Sequence, residues 1–128
     1  TAMTVQGQTR TYAPMEARRV VSAQTAATVT QMLTDSAVHG EAQTWLIPGY
    51  AVAAKTGTST PDPKHPAITY ASVIGYAPAQ QPRFVVLVKL DRPRSSIFGG
   101  GAAGPLWRAL VRELLAYYHV SSQGGQAA

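Results

Sequence analysis

The chain has no cysteine and no asparagine, and its 128 residues carry only six carboxylates against eleven lysines and arginines. Without cysteine there can be no disulfide framework, no thiolate nucleophile and no thiolate ligand for a metal, while the compartment stays open. The three histidines and six carboxylates show neither metal-ligand spacing nor a paired-carboxylate site, so no metal or cofactor is expected. Charged residues make up 13%, about half the usual share. So sparse a charge fits a surface partly covered by another piece of protein, or an extracellular protein rich in Ala, Thr and Gly. No apolar run is long enough to span a membrane, and no signal peptide is present. If the protein works outside the cytoplasm, its targeting segment is expected upstream. The net charge of +5 could favour an anionic partner. The basic residues are scattered, however, with no basic run alternating with aromatics, which argues against nucleic acid as the partner.

What is present suits one domain with a modest core, since 45% of residues are hydrophobic. Residues 1–15 have no period and read as an extended lead-in. Arg19-Val20-Val21 reads as a short extended piece. Ser22 is a plausible N-cap for a helix running to about Val38, with Ala26, Val29, Leu33 and Ala37 along one side and Met32 beside them. Gly40 is placed to end it in a left-handed conformation. Residues 41–48 read as loop, with Trp45, Leu46 and Ile47 covering the core edge. Strands are predicted over 50–58, 69–76 and 83–90, the last two joined as a hairpin through the proline-flanked stretch 77–82. Phe84–Val88 is a continuous apolar run, as for a strand covered on both faces. Residues 94–101 read as a flexible connection. A last helix is predicted over 102–119, with Pro105 in its first turn. Its stripe is Leu106, Leu110, Leu114 and Tyr117, widened by Trp107, Val111 and Tyr118. Residues 121–128 read as a disordered tail. The expected fold class is α+β, an antiparallel sheet flanked by helices.

Chemistry concentrates at Lys55-Thr56-Gly57-Thr58, the end of a small apolar strand followed by a proline-rich loop. A cation, two hydroxyls and backbone N–H groups within one short reach can hold a carboxylate and the oxygen of an attacked carbonyl. Alternation puts Thr56 and Thr58 on one face of the strand and Lys55 and Gly57 on the other. Four such residues are also compatible with an ordinary strand ending in polar residues. His39 and His119 read as helix-end residues beside free carbonyls, and His65 lies in the loop after the motif. Tyr70 and Tyr76 read as sheet packing.

The flanks narrow the reading. Arg18–Ser22, Thr25-Ala26, Met32-Leu33, Val38 and Gly40, then Pro48–Thr58, Gly75–Pro78, Val85–Val88 with Asp91-Arg92-Pro93, and Gly99–Trp107 occur in the order found in class B penicillin-binding proteins. K-T-G is a signature of that superfamily. The resemblance covers 18–120 and implies the C-terminal part of a penicillin-binding/β-lactamase-like transpeptidase fold, with 1–17 as lead-in and 121–128 as tail. One mild departure is Ala54, where the family often has glycine.

The activity so implied is a serine D,D-transpeptidase that cross-links peptidoglycan stem peptides ending in D-Ala-D-Ala and is acylated by β-lactams. Lys55 would attract the substrate's terminal carboxylate and tune the proton network, Thr56 and Thr58 would hydrogen-bond that carboxylate, and Gly57 would allow close approach. The Thr58 backbone N–H would be one of two oxyanion donors. The family's S-x-x-K and S-x-N motifs are missing: no serine is followed three residues later by lysine, and there is no asparagine. The resemblance therefore implies a chain inactive on its own. Its partners would be the remaining N-terminal part of the domain or, by self-association, further copies of itself. The site would lie on the extracytoplasmic face of a bacterial membrane, with the anchor outside these residues. A β-lactam-sensing receptor domain of the same fold, binding without turnover, is the alternative, against which Asp91-Arg92-Pro93 and the glycine-rich start of the last helix weigh.

Overall fold

The computed structural model describes residues 2–5, 8–11 and 18–122. In chain order the elements are β1 (Ala2–Val5), β2 (Gln8–Thr11), α1 (Ala23–His39), a 3-10 turn (Glu41–Trp45), β3 (Ala53–Ser59), β4 (Tyr70–Ala77), β5 (Phe84–Asp91) and α2 (Gly99–Tyr117). β1 and β2 pair antiparallel, so the extended lead-in contains a short hairpin. Residues 18–21 form no regular strand, and residues 123–128 of the tail lie outside the described residues. The expected α+β architecture is present: β3, β4 and β5 form an antiparallel meander in that order, with α2 across one face and α1 against the β3 side of the other.

α2 packs on the face carrying Ala54, Thr56, Val73, Gly75 and Val88. Trp107 sits at its centre, fully buried, and donates Nε1–H to the Val86 carbonyl at 3.0 Å. α1 reaches the opposite face, where the hydroxyls of Thr30 and Tyr76 bond at 2.8 Å. Ser22 caps α1 as expected, its hydroxyl accepting from the Thr25 N–H at 3.0 Å. Gly40 ends the helix without the left-handed turn: its φ is −111°. Glycine is needed there for space, because a Cβ would lie 2.5 Å from the Ser36 carbonyl oxygen. The left-handed glycine is Gly49, at φ 81°. With Pro48 before it and the Tyr50 N–H bonded to the Ile47 carbonyl at 3.1 Å, it makes a type II turn leading into β3.

Four expectations from periodicity need correction, and three share one cause. Along α1 only Ala37 is buried, while Val29 and Met32 are exposed. On β5 exposure alternates, with Val85 and Leu87 open and Val88 covered, so the apolar run is covered on one face only. On α2 the buried line is Ala103, Trp107, Val111 and Leu115, while Leu106, Leu110 and Tyr117 face outward. Each element carries apolar residues on two sides, and these residues cover one of them. The fourth concerns Trp45, which is at the core centre rather than its edge. Its ring meets Trp107 edge-on at 5.5 Å and lies against Gly104, leaving no room for a side chain there. α2 also begins three residues earlier than expected, which places Pro105 beyond its first turn.

Ile74 and Leu87 are register partners on the open sheet face, with Val85 beside them, and all three are about half or more exposed. Contiguous apolar surface of this kind marks an interaction face. The isolated chain is expected to bind a hydrophobic dye and to scatter light as oligomers. A dye-silent monomer would contradict this.

Candidate functional site

The motif lies in β3, as expected. β3 is an edge strand, paired with β4 on one side only among the described residues. The Lys55 side chain leaves from the face opposite Thr56, yet its Nζ donates to the Thr56 carbonyl at 3.2 Å and to Thr56 Oγ1 at 3.3 Å. To do so it wraps around the unpaired edge. That edge borders a groove of about 270 Å³ lined by Lys55, Thr56, Ala54, Glu41, Trp45 and Ser36. The 3-10 turn and the end of α1 form its other wall.

Thr58 points to the α2 face, and its Oγ1 accepts the Gly99 N–H at 2.9 Å. This bond requires the helix start to come very close. A Cβ on Gly99 would lie 2.4 Å from the Gly57 carbonyl oxygen and 2.6 Å from that of Ser72. Behind Gly57, the Ser72 hydroxyl donates to the Gly57 carbonyl at 3.4 Å. Upstream, Ala54 is accommodated because Gly75 lies opposite it, where a second Cβ would come within 2.7 Å. The connection before α2 is tied down rather than loose. The Thr69 hydroxyl donates to the Ile97 carbonyl at 2.7 Å, and the Phe98 N–H to Ser96 Oγ at 3.1 Å.

The structure thus brings Lys55, Thr56, Gly57 and Thr58 together with two residues to which the sequence reading gives no role in the site. Gly99 stands there only in the connection 94–101 and in the glycine-rich run that resembles the start of the family's last helix, and Glu41 only as the first residue of the loop 41–48. That glycine-rich run is the signal that bears on Gly99. Glu41 had no local signal, because its place depends on packing. Other polar residues stay out of the groove. His39 Nδ1 bonds the Asp35 carbonyl at 3.0 Å. His65 Nδ1 meets Asp62 at 2.8 Å in the loop after β3. That contact, then the Lys64 N–H, holds the exposed Asp62 carboxyl below its ordinary value of 3.8. Tyr70 lies beneath the Lys89 ammonium, 4.6 Å from ring centre. Among the described residues no group of His, Cys, Asp and Glu could hold a metal, and no helix is long and apolar enough to cross a membrane.

Residues 3–112 match the family described as penicillin binding protein transpeptidase domain. The chain belongs to that family. Its likeness to class B penicillin-binding proteins, drawn from residues 18–120, is borne out with it. Peptidoglycan D,D-transpeptidase PbpA of Mycobacterium tuberculosis is 37% identical over 102 residues, covering 77% of this chain and 20% of that protein. The transpeptidase domain of penicillin-binding protein 3 from Burkholderia pseudomallei superposes with a TM-score of 0.78 at 31% identity, covering 91% of this chain and 38% of that one. Penicillin-binding protein 3 of Mycobacterium tuberculosis, solved with ampicillin, gives 0.74 at 29% identity, over 95% and 30%. The chain spans about a fifth or less of the length of the first curated relatives it matches.

Proposed function

We propose that this chain is the substrate-gripping part of a serine D,D-transpeptidase that cross-links peptidoglycan stem peptides and binds β-lactams. The observation that carries the reading is the wiring of the two hydroxyls. Thr56 Oγ1 accepts from the Lys55 ammonium and Thr58 Oγ1 accepts from the Gly99 N–H. Each oxygen already accepts one hydrogen bond, so its own proton is left to donate elsewhere. Two O–H donors still available, one of them bonded to a cation, suit a carboxylate, since charge-assisted bonds are about twice as strong as neutral ones. Lys55, Thr56 and Thr58 would bind the terminal carboxylate of a D-Ala-D-Ala peptide or the corresponding carboxylate of a β-lactam. Gly57 keeps the strand open, and the Thr58 backbone N–H would serve the oxyanion.

The nucleophilic serine, its lysine and the S-x-N motif would come from the N-terminal part of the domain. The uncovered apolar residues of α1, β5 and α2 are where that part would pack, with self-association as the substitute in isolation. Within the chain, residues 18–120 would be the C-terminal part of that domain, with 1–17 as lead-in and 121–128 as tail, and the site would lie on the extracytoplasmic side of the membrane, where the cell wall is built. The relatives reported above have transpeptidase or penicillin-binding names, which favours the synthase over a sensor.

A fluorescent penicillin tests the reading. A complete domain containing this segment is expected to take up a covalent label, and the isolated chain none. A stable adduct on the isolated chain would overturn the division of the site, and an unlabelled, folded complete domain would overturn the transpeptidase reading.

A further inference from the structure

α2 opens with three glycines, no side-chain cap and no acidic residue in its first turn. A helix start favours a nearby negative charge, and here it comes from another element. Glu41, at the head of the 3-10 turn, lays its carboxylate against Gly100. Its Oε2 is 3.0 Å from where a Cβ on Gly100 would stand, and Thr56 Cγ2 is 3.5 Å from the same point. Glu41 also lines the groove with Lys55 and Thr56. Among the described residues its carboxylate has no hydrogen bond or ion pair, the ion pairs there being His65 with Asp62 and Arg92 with Asp91. The groove therefore carries two signs of charge: an ammonium folded onto Thr56, and an unpaired carboxylate held close to the same threonine.

We infer that Glu41 is a specificity-determining residue of this groove, one that penalises ligands in proportion to their negative charge. The inference rests on the carboxylate-gripping reading of Lys55, Thr56 and Thr58. Coulomb interactions across a wet groove are weak per charge but scale with the charge of the ligand. A singly negative ligand keeps a net attraction to Lys55. A second negative charge meets added repulsion from Glu41, and a zwitterion is spared it.

The test uses a complete transpeptidase domain containing this segment. Its probes are three penicillins that differ only at the carbon next to the side-chain carbonyl, bearing an amino group, hydrogen or a carboxylate. Glu41→Gln is expected to raise the acylation rate constant about 3-fold for the singly negative compound and about 10-fold for the doubly negative one, and to change it under about 2-fold for the zwitterion. Added salt at about 0.5 M should shrink these differences, and Glu41→Asp should keep the original ranking. An equal change for all three compounds, as a purely structural role would give, overturns the inference, and so does no change. Lys55→Met separates the two levels. If it slows all three while Glu41→Gln changes all three equally or not at all, only the role of Glu41 fails. If it slows none, the gripping reading itself fails.

Discussion

Lys55→Met in a complete transpeptidase domain is expected to slow acylation by benzylpenicillin about 100-fold or more while barely moving the melting temperature. The two halves of that expectation have different causes. The lysine is exposed, and among the described residues its ammonium hydrogen-bonds only its neighbour Thr56, at 3.2 and 3.3 Å. Exposed polar contacts of this kind add about 1 kcal/mol or less to folding. The same ammonium polarises Thr56 Oγ1 and supplies the positive potential of the groove. Removing one preorganised electrostatic contact from a reacting site costs about 2.7–4 kcal/mol, or 100- to 1000-fold in rate. Stopped-flow acylation alongside a thermal melt checks both halves. A variant that melts normally and acylates at the original rate would remove Lys55 from the site.

The second large effect is structural. Gly99→Val is expected to destabilise the complete domain by about 3 kcal/mol and to lower its urea midpoint accordingly. The added Cβ would meet backbone oxygens of Gly57 and Ser72 at 2.4 and 2.6 Å, and those are fixed by the β3–β4 pairing. No rotamer change relieves such a clash, so the helix must lift from the strand and the Gly99–Thr58 bond must break. An unchanged midpoint would show that the helix start does not sit this close.

Much of the fold was legible because several local signals agreed. Ser22 as cap, the three strands with their proline-bearing hairpin, and the stop at Asp91-Arg92-Pro93 each rest on chemistry within a few residues. Gly40 was placed correctly for a different reason from the one expected, since steric room and left-handed freedom leave the same residue in the sequence. The apolar stripes misled for a physical reason. A sequence shows which side chains avoid water but not which segment covers them, and on α2 it made Leu106 and Leu110 look like the inner face when Trp107 and Val111 are. The motif was legible as a run of four residues. Its wiring was not, because the Thr58–Gly99 bond spans 41 residues of chain and the approach of Glu41 to Gly100 spans a comparable gap.

The bond between Thr58 and Gly99 makes one hydroxyl both a fastener for a 19-residue helix and, on the reading proposed here, a handle for ligand. Mutational escape from an antibiotic is constrained accordingly. A change at position 58 that loosens the drug also unpins the helix, so tolerated resistance substitutions should gather at Thr56, where affinity can drift without the scaffold coming apart.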